Sequence, residues 1–326
     1  MNIAEQIGLI ETRRRELESL VDRLSRARHP RTAKEVLRLS ELHRRACADL
    51  MLAEAYDFPA ETVENLHALV GRSHYVLHRG QGFRWRELAR ILFVTAPGQL
   101  RRDPAQRVAA VVFFGSLLIS AGLAATQPDF ASSIAGDAFL EQIDSMYSQP
   151  IEANAHRNRR DDAAMTGFYL QHNTTIGLQC FAWGVFFGLG SLYQLLTNGL
   201  ILGAIFGHLA SGPNAWNFFG FITAHSVFEL SAIVIAGGAG LRLGWGLIDS
   251  GQQSRAASLR REARRALPGL AAAVVLFVVA AFIEGYLSAS ILPFGLKVAV
   301  ALVSAGMLVA YLSLGDSAPS LRPHTQ

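Results

Sequence analysis

The sequence has little charge for its length, and the charge that it has is unevenly placed. Only 17% of its 326 residues are Asp, Glu, Lys or Arg, whereas 51% are hydrophobic. None of these four charged residues occurs from Ala163 to Phe228, a run of 66 positions, which excludes an ordinary soluble domain. Two cysteines, Cys47 and Cys180, are too few for a disulfide scaffold. The high apolar content also excludes intrinsic disorder.

Other long stretches without charge add further membrane segments. Val108 to Ala125, Ala266 to Ile283 and Val298 to Gly315 each hold 18 uncharged residues, and a membrane-spanning helix needs about 20. The fold class predicted is therefore all-α, a polytopic membrane bundle of about six helices preceded by a cytoplasmic helical bundle. The predicted spans are 107–125, 173–196, 198–211, 216–241, 267–289 and 296–314. The third is short, so it either continues the second helix through a tight turn or is re-entrant.

Basic residues predict the orientation of this transmembrane domain, 105–316. Residues 1–107 contain 19 Lys and Arg, and residues 242–265 contain six against two acids, whereas residues 126–172 contain three against seven acids. The positive-inside rule then predicts a cytoplasmic (inner) membrane protein with both termini in the cytoplasm, including a tail at 317–326. The outer loop is 126–172 and the cytoplasmic loop is 242–266. Lys297 is an exception to this rule, because it lies near the predicted outer end of the span 296–314. The first long apolar run begins only at Val108, so we expect the amino terminus to be retained.

The polar amino-terminal region shows helical periodicity. Apolar residues recur every three or four positions in three stretches separated at Pro30 and Pro59, which predicts a bundle of three amphipathic helices over 1–80. Residues 83–104 mix aromatic and aliphatic side chains with arginines. This segment is predicted to be an interfacial elbow helix, with a fourth bundle helix as the alternative.

The excess of basic over acidic residues bears on the partners that the chain binds. The net charge is +4, but the arginines lie beside membrane segments and no zinc-finger, RNP or phosphate-loop motif accompanies them. Anionic lipid at the cytoplasmic face is therefore expected rather than nucleic acid. Protein partners or a homo-oligomer are expected as well. No nucleophile and base pair is recognised, so we expect no catalytic residues and no cofactor.

Small residues repeat at helical spacing within the membrane segments. Such rows let helix backbones approach closely, so their role is predicted to be packing. The residues predicted to pack helices are Gly184, Gly188, Asn198, Gly199, Gly203, Gly207, Gly240 and Gly244.

A few ionisable residues interrupt the apolar segments. His225 and Glu229 are one turn apart and share a helix face. Counted from the cytoplasmic arginines at about 1.5 Å per residue, His225 and Glu284 lie at nearly the same depth. The sequence therefore predicts an intramembrane polar cluster in the outward half of the bundle. Its predicted members are His172, Asn173, His208, His225, Glu229 and Glu284.

The chemistry of these residues permits three roles. Paired or protonated carboxylates can hold helices together, the same residues can line a proton or ion path, and histidines with carboxylates can bind a metal. The spacing matches no named metal motif and HExxH is missing, so we expect no metal and favour the structural role.

Local patterns in residues 107–290 resemble the stage II sporulation protein M family of polytopic membrane proteins. The patterns are His172-Asn173, Asn198-Gly199, His225-Ser226 followed by Glu229, the Ala-Gly run from Ala236 to Gly244, and Glu284. His172 and Ser226 depart from the family pattern, which has asparagine and glycine there.

The resemblance implies a role in protein assembly, because founding members of the family look like assembly partners of peptidoglycan hydrolases. We therefore expect a multi-pass scaffold or subunit that recruits partners in envelope assembly. The alternatives are a transporter or channel subunit that uses the His/Glu cluster, and a metal-dependent membrane hydrolase.

Overall fold

The computed structural model describes residues 3–25, 32–56, 58–78, 85–149 and 159–313. Contacts divide the chain into two units, Met1–Arg84 and Trp85–Gln326. Helices make up both units, and no strand occurs in these described ranges. The predicted all-α class is thereby confirmed. The predicted tail at 317–326 and the predicted break at Pro30 lie outside the described residues.

The first unit consists of the three helices α1 (Ile3–Ser25), α2 (Ala33–Ala55) and α3 (Ala60–His78). Thr32 caps α2 in a capping box with Glu35, which satisfies backbone donors at the start of that helix. The apolar stripes of the helices meet in a core formed mainly of leucines and valines, and its most completely buried members are Leu17, Val21, Leu24, Leu39 and Leu42. This unit therefore has a core of its own.

The second unit contains the remaining helices. They are α4 (Trp85–Arg90), α5 (Ala96–Arg102), α6 (Pro104–Thr126), α7 (Pro128–Ala135), α8 (Asp137–Ser148), α9 (Arg159–Ala182), α10 (Leu189–Ser211), α11 (Ala215–Ile222), α12 (Ser226–Ile248), α13 (Arg255–Phe282) and α14 (Phe294–Ser313). A π-helical segment, Ile91–Thr95, joins α4 to α5, and another, Ile283–Ser288, extends α13. The predicted outer loop 126–172 is thus largely helical, since it contains α7, α8 and the first half of α9.

Five helices among the described residues are long and apolar enough to cross a membrane: α6, α10, α12, α13 with its π-helical extension, and α14. The predicted span 173–196 was wrong, because α9 ends at Ala182 and α10 begins at Leu189. Between them lies a turn in which Phe187 and Gly188 have φ angles of 55° and 79°. The short predicted span 198–211 is the second half of α10, whose 23 residues are enough for a full crossing. The predicted span 216–241 was also wrong, since the chain breaks between α11 and α12.

The helices of the second unit run between two ends. Arg242 contacts Asp103 and Glu262 at one end, which we call the arginine end. At the other, the far end, His208 of α10 contacts Asp144 of α8. The first residues of α14 also lie at the far end, whereas its Tyr311 donates a hydrogen bond to the carbonyl of Leu92 near the arginine end.

Helix α9 runs through the same bundle although it is too polar to count among the five. Near the far end Asn173 of α9 contacts Glu284, and toward the arginine end the short 3₁₀ helix Trp183–Val185, directly after α9, places Gly184 against Gly240 of α12. Helix α9 therefore passes parallel to α12. In the part of the chain that the structure describes, six segments run between the two ends: α6, α9, α10, α12, α13 and α14.

Glycines set how closely these segments approach. A Cβ atom on Gly199, Gly203 or Gly207 of α10 would overlap the backbone or small side chains of α6. A Cβ atom on Gly244 of α12 would overlap the backbone of Gly188, and one on Gly240 would overlap the Ser191 hydroxyl and the carbonyl oxygens of Cys180 and Phe181. Asn198 instead donates to the Gln194 carbonyl of its own helix at 2.7 Å. Close backbone approach of this kind is typical of tightly packed membrane helices.

Candidate functional site

A buried polar cluster begins at the amino-terminal end of α12. His225 is the N-cap residue of that helix and Glu229 lies in its first turn, one turn away on the same face. Nε2 of His225 is 3.5 Å from a carboxylate oxygen of Glu229. The His225 side chain is only 5% exposed and that of Glu229 is 19% exposed. The break after α11 therefore places the imidazole inside the bundle.

The π-helical segment Ile283–Ser288 brings two more groups to His225. A carboxylate oxygen of Glu284 lies 4.0 Å from Nε2 of His225, and the Ser288 hydroxyl lies 2.8 Å from Nδ1. A π-helix holds an extra residue per turn and often occurs at functional sites. Here it directs Glu284 and Ser288, four residues apart, to opposite nitrogens of one imidazole.

Helix α9 completes the cluster. Asn173 is buried and donates from its side-chain amide to the second carboxylate oxygen of Glu284, at 3.4 Å. Thr166 lies on the same helix as Asn173. A Cβ atom on Gly285 of the π-helical segment would overlap the Thr166 side chain, so α9 packs directly on that segment. The buried polar cluster therefore consists of Asn173, His225, Glu229 and Glu284, held by three segments of the bundle.

Aromatic side chains surround the cluster on the side of the far end. Phe221 of α11 contacts the His225 ring edge to face, with 5.6 Å between ring centroids, and also contacts Tyr147 and Tyr169. Burial raises the pKa of Tyr147, and the nearby carboxylates, Glu284 first, raise it further. The Phe221 ring thus lies between the Tyr147 phenol of α8 and the imidazole of His225, in contact with both.

Lys297 of α14 lies beside the cluster, almost completely buried. Its ammonium donates to the carbonyl oxygens of Gly220, Ser288 and Ser290 at 2.9, 2.8 and 3.0 Å. Ser288 thus contacts Lys297 through its backbone and His225 through its side chain. From the sequence, Lys297 was only an exception to the positive-inside rule, and Ser288 was not predicted to belong to a site. A single lysine at the start of an apolar helix was the available signal.

Two predicted members lie away from the cluster. Nε2 of His208 is 2.9 Å from an Asp144 carboxylate oxygen, in a contact that joins α10 to α8. His172 is exposed and stacks on Phe168, with 6.0 Å between ring centroids. Consecutive helical residues point in different directions, so the inward position of Asn173 leaves His172 outside. His208 therefore does not join the buried polar cluster in lining a proton or ion path.

A separate charged network occupies the arginine end. Arg242 donates to Glu262 at 3.0 Å and also pairs with Asp103, the N-cap residue of α6. The buried carboxylate of Glu262 further accepts hydrogen bonds from Arg261 and Arg265, at 2.9 and 3.0 Å. This network ties α6, α12 and α13 together. It was not predicted, because its members are distant in sequence: Asp103 lies at the end of the predicted elbow helix, whereas the other residues lie in the predicted cytoplasmic loop 242–266.

The chemistry available differs between the two ends. The arginine end is a set of paired charges, which suits a structural junction. In the buried polar cluster, His225, Glu229 and Glu284 each offer one ligand atom, and these atoms lie within 4.8 Å of one another. An imidazole and two carboxylates of this kind can hold protons or a cation.

A bundle of apolar helices with a buried polar cluster at one end defines a polytopic membrane protein. Comparison with known families makes this more specific. The profile of Stage II sporulation protein M matches residues 109–289, more than half of the chain, so the chain belongs to this family. The resemblance identified from the sequence motifs is thereby confirmed. Residues 13–79 match a domain of unknown function, DUF8413. Neither a curated protein nor a solved structure matches the chain.

Proposed function

We propose that the protein is a rigid multi-pass membrane scaffold of the cell envelope that holds partner proteins at its far end. The observation that carries this proposal is the attachment of α8 to the bundle. His208 contacts Asp144, and Asn214 and Asn217 donate to the carbonyl oxygens of Asp144 and Tyr147, at 3.2 and 2.9 Å. Helix α8 is thus fixed on a tightly packed bundle.

The other face of α8 supports a recruiting role. Phe139 and Met146 are 40% and 60% exposed, whereas Leu140 between them is buried in a small apolar core with Ala124 and Ala131. Exposed aromatic and methionine side chains are enriched in protein interfaces. A rigid helix that displays such residues has the features of a docking platform.

We infer further that the far end faces outward from the cytoplasmic membrane and that both termini are cytoplasmic. Arginines at the start of α13 and in α5 gather at the arginine end, whereas α7 and α8 carry acids at the far end. This asymmetry agrees with the positive-inside rule. Reporter fusions after residues 105, 150, 187, 212, 252, 292 and 320 are expected to report in, out, in, out, in, out and in. An outward signal after residue 187 would contradict passage of α9 through the membrane.

Site-specific photo-crosslinking in cells tests the recruiting role. A photoreactive amino acid in place of Phe139 or Met146 is expected to give a discrete crosslinked species, identified by mass spectrometry as an envelope-assembly protein. The matched control is the same amino acid at buried Leu140, which is expected to give none. Absence of any discrete partner from both exposed positions, with the purified protein remaining alone, would count against a scaffold.

A further inference from the structure

Three potential ligand atoms converge within the buried polar cluster. Nε2 of His225 lies 3.5 Å from the nearest Glu229 oxygen and 4.0 Å from the nearest Glu284 oxygen. Both distances exceed those of ordinary N–H···O hydrogen bonds, which end at about 3.2 Å. Around a tetrahedral metal with bonds of about 2.1 Å, ligand atoms stand about 3.4 Å apart. The spacing is therefore closer to that of atoms sharing an ion than to that of atoms in direct contact.

The surroundings of His225 suit a metal ligand. Metal-binding histidines usually donate through one ring nitrogen to a neighbour while the other binds the ion. Ser288 lies 2.8 Å from Nδ1 and is positioned to accept such a hydrogen bond. In that tautomer Nε2 presents its lone pair to the two carboxylates.

Glu284 is oriented in the same manner. One of its oxygens faces His225, while the other accepts a hydrogen bond from the Asn173 amide that, at 3.4 Å, is longer than usual. Hydrogen bonds of this type hold a coordinating carboxylate in place. Glu229 is fixed by its position one turn after His225 on the same helix.

Charge favours a divalent cation at this point. Two ionised carboxylates within a protein interior are costly unless a positive charge lies between them, and a doubly charged ion balances both. We propose that His225, Glu229 and Glu284 bind one divalent transition-metal ion, with zinc the best fit. One imidazole with two carboxylates matches zinc, whereas magnesium prefers oxygen ligands alone. The ion would join α12 to the π-helical extension of α13, a property beyond the proposed scaffold role.

The test uses the full-length protein purified in detergent. After treatment with EDTA and its removal, zinc chloride is added and bound metal is measured by mass spectrometry following gel filtration. One zinc ion per chain is expected in the wild type. Glu229→Gln and Glu284→Gln, which keep the side-chain shape, are each expected to weaken zinc affinity by about tenfold or more. X-ray absorption of the zinc-loaded wild type is expected to show one imidazole and carboxylate oxygens.

Matched controls separate this site from other histidines. His208→Gln removes a histidine that contacts an acid outside the cluster, and His43→Gln removes the histidine 3.7 Å from Cys47. Both variants are expected to bind zinc as the wild type does. If a glutamine variant does not fold, the wild-type stoichiometry and absorption spectrum still decide. A wild type that binds no stoichiometric zinc, or glutamine variants that bind it unchanged, would overturn the proposal in favour of carboxylates held by protons alone.

Discussion

Gly184 and Gly240 contact each other backbone to backbone where the short 3₁₀ helix Trp183–Val185, which follows α9, meets α12. A Cβ atom on Gly184 would overlap the carbonyl group of Gly240. Because rigid backbone rather than a mobile side chain occupies that space, the two segments would have to separate. We therefore expect Gly184→Ala to destabilise the protein by about 2 kcal/mol or more, measured by thermal unfolding in detergent.

Gly167 provides the matched control for that prediction. It lies in α9, the helix that leads into the 3₁₀ segment with Gly184, and a Cβ atom there would meet nothing within 4 Å. Alanine favours helix over glycine by up to about 1 kcal/mol, so Gly167→Ala is expected to be neutral or slightly stabilising. Equal losses from both substitutions would show that the packing of α9 on α12 is not responsible.

The network at the arginine end predicts a second loss of stability. Glu262 is buried and accepts hydrogen bonds from Arg242, Arg261 and Arg265. Glu262→Gln leaves these arginines with less compensating charge and is expected to cost about 3 kcal/mol. Thermal unfolding in detergent measures this loss of stability. The control is Glu141→Gln, at an exposed position of α8, which is expected to change the unfolding temperature little.

The buried ammonium of Lys297 predicts a third loss of stability. Its ammonium is the donor for three carbonyl oxygens, those of Gly220, Ser288 and Ser290. Lys297→Met fills the space but removes the donor, so buried carbonyls lose their partner at a cost of about 1–3 kcal/mol. Folded yield and unfolding temperature are the measurements, and Lys34→Met, at an exposed position of α2, is the control. Unchanged stability of Lys297→Met would contradict a structural role for the ammonium.

The first unit is expected to fold by itself. Its core is formed within α1, α2 and α3, with Leu17, Leu39 and Leu42 almost completely buried. A fragment of residues 1–84 is therefore expected to be a soluble, cooperatively unfolding helical protein by circular dichroism. In it, Leu42→Ala is expected to cost about 2–5 kcal/mol, whereas exposed Leu37→Ala is expected to cost far less. A fragment without helical signal would contradict an independent core.

The same fragment tests a pH dependence. Hydrogen bonds from Arg38 lower the pKa of Glu16 below its ordinary value of 4.5. Since the folded pKa is the lower one, the pair stabilises the fold above the unfolded pKa and loses this effect as pH falls through the folded pKa. Glu16→Gln is thus expected to lower the urea midpoint slightly at neutral pH, with the difference vanishing as the pH falls below the lowered pKa of Glu16 in the folded state. Glu64→Gln, at an exposed position of α3, is the control and is expected to leave the urea midpoint at neutral pH nearly unchanged.

Composition predicted the class of fold because the contrast between charged and charge-free stretches is large. It did not place the turn at Phe187 and Gly188, because every residue around it is apolar and the Asn198-Gly199 pair is more typical of a turn. In the structure Gly199 lies within α10 because α6 passes too close for any side chain. Tertiary packing therefore decided what a local signal could not.

The buried polar cluster could likewise be predicted from the sequence only in part. Counting residues along helices placed His225 and Glu284 at one depth, and the two are 4.0 Å apart. The count could not show which face of a helix points inward. His208 consequently contacts α8, and the carbonyl partners of Lys297 depend on backbone breaks near Gly220 and Ser290 that leave no pattern in the sequence.

The π-helical segment Ile283–Ser288 has a consequence for inheritance. A π-turn is an α-turn with one residue inserted, so deleting a single codon there would restore a continuous α-helix. Such a deletion would rotate Glu284 and Ser288 relative to each other without altering either residue. Loss or gain of the arrangement around His225 in descendants of this gene is therefore expected to appear as a change in length rather than as a substitution.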